Sequence, residues 1–398
     1  MMATDRSTAG SVGLRAPRRR RRSMADVVDV SLPFDPILAF AAVALSLCSV
    51  IALAGATEGN SFVVRQAAYA LVGLGIAAVV SRVDYARWQA IRWPLYAFTL
   101  GSIVAVALFG QNVNGTTLSI NLGFFSFQAS ELGKVLVAVV GASFIVDRRH
   151  DAHSWRTTGG VLLLVLLPAA LTADFGSSLV YGAIALAVLL IGGAPGKHLA
   201  TIGVVGVVAV VSVLGVLPAA GVDVLRPYQV DRITAFLNPE NDANEATFQL
   251  KQAKAAVGSG QKTGRGDEAT QQKLGYLPEK QTDFIFASIG ERFGFVGTAI
   301  VLSLFALVMW RGLRILSTAR DFYGAVLAAG ILAMLLFQVL VNAGMNVGIM
   351  PITGIPLPLV SYGGSSVLST YLAIGLLQAI YAQGRAATRR GPTVDRTD

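Results

Sequence analysis

The sequence predicts an all-α polytopic membrane protein with about ten transmembrane helices and one long extracytoplasmic loop. Of its 398 residues, 54% are apolar and only 14% are charged, whereas a soluble domain carries about 25% charged residues. The mean hydropathy is +0.61. Many apolar runs approach the roughly 20 residues that cross a bilayer. The net charge of +9 is therefore interpreted by its location along the chain and not as a nucleic-acid signal.

Ten apolar runs give the predicted spans. The fifth and sixth are short and are interrupted by Asp174 and Gly176, and the eighth is interpreted as starting with an interfacial half-helix. The single cysteine, Cys48, lies in the first run, so an internal disulfide is excluded. The runs lie at about 36–56, 62–80, 93–110, 130–146, 159–174, 176–193, 198–218, 284–310, 323–345 and 365–382.

The distribution of lysine and arginine predicts the orientation of the chain. Residues 1–34 are interpreted as a disordered basic cytoplasmic tail, which contains five consecutive arginines. Because no apolar segment follows these arginines directly, a cleavable signal peptide is not predicted. Most lysines and arginines fall in alternate connections, which indicates that both termini are cytoplasmic. Residues 35–384 then form the membrane domain, residues 385–398 form a second cytoplasmic tail, and loop 219–283 is extracytoplasmic.

Loop 219–283 is too long for a passive connection and too small for a confidently independent domain. Its GSGQKTGRG segment (258–266) has two interpretations, a solvated linker or a cradle of backbone amides and lysine for a phosphate. It is not a Walker motif, and with no strand before it a nucleotide-binding fold is not favoured. The segment ATFQLKQAKAAV predicts an amphipathic helix. One face of that helix would hold Phe248, Lys251, Gln252 and Ala255.

Charges within or beside apolar spans are costly unless they are paired or functional. Glu131 and Lys134 are three residues apart, so they share a helix face and can pair. A structural ion pair and a polar substrate cavity both remain open for them. Asp174 is predicted to cap the sixth span.

Asp283 lies within the stretch LPEKQTDFIFASIGERFGFVG (277–297), where a polar loop meets the eighth span. A carboxylate there interacts favourably with the helix dipole, which lowers its pKa. Desolvation at the membrane edge raises the pKa. The sequence leaves the balance between these two effects open.

The segment GIMPITGIPLPLVSYGGSS (348–366) contains three prolines and four glycines, so a regular helix cannot run through it. Irregular backbone at membrane depth is tolerated only where it is buried in protein or lines a cavity. We therefore expect a re-entrant or packed loop on the outer side, near Asp283. Its hydroxyl donors are Ser361, Tyr362, Ser365 and Ser366. The residues alone suit an enzyme or a transporter that acts on a lipid-anchored anionic substrate.

Several motifs together resemble the SEDS family (shape, elongation, division, sporulation), whose members include RodA and FtsW. The most specific are TDFIFA preceded by LPE, and NAGMNVGIMPITGIPLPLVSYGGSS (342–366). Further blocks occur in the same order as in the family, and the resemblance covers about residues 30–385. These blocks are VNG…NLGFFSFQASELGK (113–134), DFGSS (174–178) and RITAFLNPENDANEATFQLKQAKAAVGSGQKTGRG (232–266).

The resemblance implies a peptidoglycan glycosyltransferase that polymerises lipid II at the outer face of the bacterial plasma membrane. It implies a class B penicillin-binding protein as the crosslinking partner. The family's essential acid falls on Asp283, the implied general base on the acceptor sugar 4-hydroxyl. A divalent cation, Mg²⁺ or Mn²⁺, on the diphosphate is a further expectation, although no ligand cluster is legible. The expected substrate-binding residues are Glu131, Lys134, Asp174, Ser361, Tyr362, Ser365 and Ser366, and, by inference from the loop charges, Lys262 and Arg265.

The chain also departs from the family pattern. Leu118 and Ser119 stand where members carry Arg-Trp, and Ala129 replaces a proline. The missing cation implies altered substrate handling or compensation by another residue. The SRVDYARW segment favours a RodA-like elongation role, whereas QQKLGYLPE leans toward an FtsW-like division role. The rival functions are a lipid II flippase and a non-catalytic scaffold for a penicillin-binding protein.

Overall fold

The computed structural model describes residues 34–56, 60–113, 116–172, 174–216, 218, 227–238, 245–269 and 279–390. The predicted N-terminal tail up to residue 33 and the C-terminal tail beyond residue 390 lie outside the described residues. The described helices are α1 Pro36–Ala56, α2 Ser61–Val80, α3 Ala86–Ala90, α4 Arg92–Phe109, α5 Ala129–Asp147, α6 Trp155–Thr172, α7 Phe175–Ile191, α8 Gly196–Val211, α9 Pro227–Leu237, α10 Glu245–Ser259, α11 Ile285–Ser317, α12 Phe322–Val347 and α13 Gly364–Arg390.

The ten predicted spans correspond to ten apolar helices. Eight are long and apolar enough to cross a membrane, and α7 and α8 are shorter apolar helices. The break between the fifth and sixth spans is confirmed at Asp174, while Gly176 lies inside α7. The last helix continues to Arg390, beyond the predicted end near residue 382. A π-helix, Ser212–Val216, follows α8.

Helix α11 is kinked, which confirms the predicted half-helix. Gly294 has φ 64° and ψ −159° inside an otherwise helical run. A residue with a side chain rarely adopts this backbone conformation, so glycine is required there. The part of α11 that follows Asp283 therefore has a different direction from the part that follows Gly294.

A small antiparallel sheet lies between α4 and α5, and the all-α prediction missed it. Its strands are β1 Gln111–Val113, β2 Thr116–Asn121 and β3 Ser126–Phe127, in the order β1-β2-β3. The second pair has the register Ile120 with Phe127 and Asn121 with Ser126. The departures at Leu118 and Ser119 fall in β2. Such short strands between two apolar spans leave too little alternation for a sequence pattern to detect.

Helices α5, α12 and α13 form the centre of the bundle. In their most apolar stretches 83%, 72% and 89% of residues are buried, compared with 17% for α4. The outer helices present leucine and valine side chains to the surroundings, as expected for faces in contact with lipid. Polar side chains in this buried centre must therefore pair with one another.

An ion pair and a side-chain amide together join three helices at the end of the bundle that is predicted to be cytoplasmic. Asp35 caps α1 by accepting hydrogen bonds from the amides of Ile37 and Leu38, both at 3.0 Å. Arg311 of α11 donates from Nε to Asp35 Oδ2 at 2.8 Å. Gln378 of α13 accepts from the Asp35 amide at 2.7 Å and donates to its carbonyl at 2.9 Å. These bonds fix the end of α11 that contains Arg311.

Of the two loop helices, α10 packs on α11 and α12, and α9 packs on α10. The predicted helix is confirmed as α10, and the face that it buries is not the one that holds Phe248. Phe248 is 44% exposed, whereas Leu250 and Ala253 are buried. Small residues dominate the buried face because α10 lies close to the backbone of α11. This cluster of buried residues comprises Ala235, Ala246, Leu250, Ala253, Ala256, Phe284, Ala287, Met345 and Ile352.

Candidate active site

Asp283 lies just before α11, and the last three backbone carbonyls up to and including its own accept hydrogen bonds from residues distant in the chain. The Tyr362 amide donates to Gln281 O at 2.8 Å. Ser361 Oγ donates to Thr282 O at 2.6 Å. The side-chain amides of Asn342 and Asn346 donate to Asp283 O at 3.0 and 3.1 Å. The loop from Gly348 to Gly363 is non-helical and packs beside Asp283, which confirms the predicted placement.

The Asp283 carboxylate and the Arg232 guanidinium approach the same point beside Gly354. A Cβ added to Gly354 would lie 3.1 Å from Arg232 Nη1 and 3.5 Å from Asp283 Oδ2. Gly354 has φ +75°, a conformation that favours glycine. The loop thus turns sharply, and its backbone lies close to both charged groups.

The pKa of Asp283 is raised to about 6, mainly because burial disfavours its charged form. The positive charge of Arg232 acts in the opposite direction and lowers this pKa. Glu279 and Asp174 add smaller contributions that raise it. Burial therefore outweighs the effect of the guanidinium on this pKa. A carboxylate with this pKa is largely ionised at neutral pH and is a stronger base than an exposed aspartate.

Asp174 caps α7, as predicted, and also lies within electrostatic reach of Asp283. Its Oδ1 accepts from the Gly176 amide at 3.1 Å. A Cβ at Gly176 would lie 2.7 Å from Thr353 O, so this glycine allows the start of α7 to contact the loop beside Gly354. The cap thereby places one more carboxylate next to the Asp283 region.

Glu131 and Lys134 form a buried ion pair. Lys134 Nζ donates to Glu131 Oε1 at 2.7 Å, and both side chains are less than 5% exposed. Tyr181 Oη donates to Ser130 O at 3.3 Å, which joins α7 to the first turn of α5. The pairing prediction is confirmed. A role of either residue in binding substrate stays a prediction.

The glycine-rich turn packs on the kink of α11 and is not a solvated linker. After the break at Gly294, the amides of Phe295 and Val296 donate to the carbonyls of Gln261 and Lys262 at 2.8 and 3.1 Å. The Arg265 amide donates to Glu291 O at 2.8 Å. The turn therefore supplies hydrogen bonds that the kink removes from the helix.

The side chains of Lys262 and Arg265 are exposed beside this kink. About nine helical residues separate it from Asp283, or roughly 13 Å at 1.5 Å per residue. The Arg265 amide already donates within the protein, so a phosphate cradle would depend on the two side chains. Their predicted contact with the diphosphate stays a prediction.

Ser365 and Ser366 lie in the first turn of α13. Ser365 Oγ donates to Ser126 O and accepts from the Gln128 amide, both at 2.8 Å, so it holds β3 and the start of α5. Ser366 is 6% exposed. Tyr362 packs edge-on against Phe62, with ring centroids 4.9 Å apart. Contacts of these three residues with substrate stay predictions.

Within the described ranges, no three His, Cys, Asp or Glu side chains come together in a way that could hold a metal ion. Because Mg²⁺ is usually held by one or two carboxylates together with substrate phosphates, a divalent cation on the diphosphate stays a prediction. The arrangement offers a base of raised pKa beside a guanidinium. Such a pair can take a proton from a hydroxyl and stabilise an anionic group nearby.

The roles of Arg232, Gly354, Asn342 and Asn346 were not predicted from the sequence. A signal was available for the two asparagines, since they are four residues apart on an apolar helix and thus share one face. Buried side-chain amides in a span need hydrogen-bond partners. No comparable pattern pointed to Arg232 or Gly354, because their neighbour, Asp283, is distant in the chain.

The sequence profile of the FtsW/RodA/SpoVE proteins, described as cell cycle proteins, matches residues 34–386. The chain belongs to this family. A probable peptidoglycan glycosyltransferase FtsW from Thioalkalivibrio sulfidiphilus (strain HL-EbGR7) is 37% identical over 83% of this chain and 82% of its own. Stage V sporulation protein E from Bacillus subtilis (strain 168) is 34% identical over 79% of this chain and 86% of its own. Peptidoglycan glycosyltransferase MrdB from Escherichia coli (strain K12) is 33% identical over 89% of this chain and 95% of its own.

Solved structures resemble this FtsW/RodA/SpoVE protein as well. The rod shape determining protein RodA from Thermus thermophilus has a TM-score of 0.66 and 25% identity, covering 88% of this chain and 97% of its own. A chain from a study titled "Structural coordination of polymerization and crosslinking by a peptidoglycan synthase complex" has a TM-score of 0.76 and 27% identity, covering 89% and 99%. The SEDS resemblance is confirmed, and the protein is a multi-span membrane peptidoglycan glycosyltransferase.

Proposed function

We propose that this protein polymerises lipid II at the outer face of the plasma membrane, with Asp283 as the general base. The observation that supports this proposal best is that Asp283 and Arg232 both approach the same point beside Gly354. Burial raises the pKa of Asp283 to about 6. A catalytic base is most effective when its pKa lies near the working pH, because it is then both ionised and basic.

In the proposed step, the 4-hydroxyl oxygen of the acceptor sugar attacks the anomeric carbon of the donor. The carbon–oxygen bond to the diphosphate breaks, and its electron pair leaves with the diphosphate. The hydroxyl proton passes to Asp283. Arg232 stabilises the negative charge of the leaving diphosphate, since a guanidinium presents paired donors to phosphate oxygens. Arg232 would thus supply a cation in place of the arginine that this chain lacks at Leu118.

The orientation proposed for the membrane domain places both termini in the cytoplasm and Asp283 outside. It is supported by the excess of lysine and arginine in the alternate connections. Helices α9 and α10, which belong to the long loop, would then cover the outer end of α11. The acid would face the compartment in which glycan strands grow.

We place a class B penicillin-binding protein as the partner that crosslinks the new strands. The solved neighbour whose title joins polymerisation to crosslinking in one complex supports a partner of this kind. For the cellular role we keep elongation, with division as the alternative, because similar relatives carry both FtsW and MrdB names. Depletion in the native host separates the two roles, since loss of elongation gives rounded cells and loss of division gives filaments.

The test of the function is lipid II polymerisation by the purified protein, with and without the cognate penicillin-binding protein. Glycan strands in the presence of the partner are expected from the wild type. A flippase would instead move fluorescent lipid II across vesicles without forming strands, and a scaffold would do neither. Chelation of divalent cations in the same assay tests the expected Mg²⁺ or Mn²⁺ requirement.

A further inference from the structure

The side chain of Asn346 is inserted into the first turn of α11. In a regular α-helix, the amide of a residue donates to the carbonyl four positions earlier. Ala287 would thus donate to Asp283, but its amide donates to Asn346 Oδ1 at 3.0 Å. The Asp283 carbonyl accepts instead from Asn346 Nδ2 at 3.1 Å. The next pair is regular, because the Ser288 amide donates to Phe284 O at 3.0 Å.

The hydrogen-bond partners fix the orientation of the Asn346 amide. Its oxygen faces a backbone N–H, and its nitrogen faces two carbonyls, those of Asp283 and Asn342, the latter at 2.8 Å. A flipped amide would place donors against a donor and an acceptor against acceptors. The residue is also fully buried, so water does not compete for these bonds.

Asn342, one turn earlier on α12, links the same carbonyl to the loop beside it. Its Nδ2 donates to Asp283 O at 3.0 Å and to Ile355 O at 2.8 Å. Ile355 follows Gly354, the residue beside which Asp283 and Arg232 meet. The two asparagines therefore set the position of the acid relative to the loop that faces it.

We propose that Asn346, supported by Asn342, is a positioning residue that keeps Asp283 outside α11. By taking the place of the first helical hydrogen bond, it prevents the helix from extending back to the acid and directs the carboxylate toward Arg232. The inference rests on the proposed role of Asp283 as the base. Asn346 itself lies behind the backbone and does not touch the substrate.

The variant Asn346→Ala directly tests the positioning role of Asn346. Without the inserted amide, Ala287 N–H and Asp283 O can pair with each other, so the backbone stays satisfied while the acid turns. Displacement of a reacting group by about 1 Å costs on the order of 100-fold in rate. We expect kcat for lipid II polymerisation to fall about 10- to 100-fold, with KM and the melting temperature little changed. We also expect the acid limb of the pH profile to move to lower pH than in the wild type, because the carboxylate leaves its buried setting and its pKa falls.

Two further variants separate positioning from general packing. Asn346→Asp keeps an acceptor for the Ala287 amide but loses both donors, so it should also lower kcat. Gln338→Leu is the matched control, since Gln338 is another buried amide of α12 and lies about two turns, roughly 12 Å, from Asn346. This control is expected to retain the wild-type kcat and pH profile.

Failure of the inference and failure of the proposed function give different results. If Asp283→Asn is inactive while Asn346→Ala retains the wild-type kcat and pH profile, the positioning inference is overturned and the base assignment stands. If Asn346→Ala lowers the melting temperature but not kcat per folded molecule, its role is only structural and the inference is again overturned. If Asp283→Asn polymerises lipid II at the wild-type rate, the base assignment itself fails.

Discussion

Arg232 Nη1 and Asp283 Oδ2 converge beside Gly354, at 3.1 and 3.5 Å from the point where a Cβ of that residue would stand. Arg232 comes from α9 in the long loop, while Asp283 precedes α11. The guanidinium lowers the pKa of the acid, and burial raises it further than the guanidinium lowers it, to about 6. The loop helix α9 thus lowers the pKa of the acid through Arg232.

The first prediction concerns the pH dependence of polymerisation. Asp283 must be ionised to accept a proton, so activity should fall as the pH drops through about 6. Removing the positive charge in Arg232→Gln raises this pKa, and the acid limb of the rate profile should move to higher pH. Arg232→Lys keeps the charge and should leave the limb close to its wild-type position. A limb that is identical in all three proteins would show that Arg232 does not act on the base.

A second prediction uses the buried pair of Glu131 and Lys134. The variant Lys134→Met leaves the Glu131 carboxylate buried without its cation, which should cost about 3–5 kcal/mol of stability. Adding Glu131→Gln removes the remaining charge and should recover most of this loss, as followed by thermal unfolding in detergent.

The activity of that double variant decides between the two interpretations of the pair. If it is stable and polymerises lipid II normally, the pair is structural. If it is stable and its rate falls tenfold or more, one of the charges serves the substrate. A double variant less stable than the single one would contradict the account of the pair as two charges that balance each other.

A third prediction compares two glycines of the same turn. Both Gly264 and Gly266 have positive φ, at 85° and 56°, so alanine should cost about 1–2 kcal/mol at either position. A Cβ at Gly264 would lie 2.1 Å from Arg292 O, whereas one at Gly266 would meet nothing within 4 Å. Gly264→Ala should therefore lose about 1–3 kcal/mol more than Gly266→Ala. Equal melting temperatures would mean that the turn does not pack on the kink of α11.

A fourth prediction concerns the opposite end of α11. Arg311→Met leaves the buried Asp35 carboxylate without its cation and should destabilise the protein by about 3–5 kcal/mol. Arg311→Lys keeps the charge but loses the paired geometry, so its loss should be smaller. Polymerisation per folded molecule should be unchanged in the lysine variant, because Arg311 lies far from Asp283. A melting temperature of Arg311→Met equal to the wild type would contradict this role.

The features that were predicted correctly are those that a local stretch of chain determines. Apolar runs located the ten spans because each must cross the same thickness of lipid. The prolines and glycines between Gly348 and Gly364 excluded a helix. Since irregular backbone at that depth needs protein around it, the loop was expected beside Asp283, and Ser361 contacts that segment.

The features that were missed depend on partners far away in the chain. The buried face of α10 is set by its fit to α11, so Leu250 and not Phe248 is buried. The glycines of the turn indicated flexibility, but Gly264 is needed because the backbone of Arg292 lies against it. Arg232 and Asn346 gained their roles only when folding brought them to Asp283, a contact that no local pattern encodes.

The most direct test of the central claim is the rate of lipid II polymerisation by Asp283→Asn, measured beside the wild type with the partner present. Asparagine has nearly the same shape as aspartate but cannot accept the proton, and a general base contributes about 100- to 10,000-fold to a rate. We expect a folded variant whose rate is lower by at least about 100-fold. A folded Asp283→Asn protein that makes glycan strands at the wild-type rate would contradict this expectation.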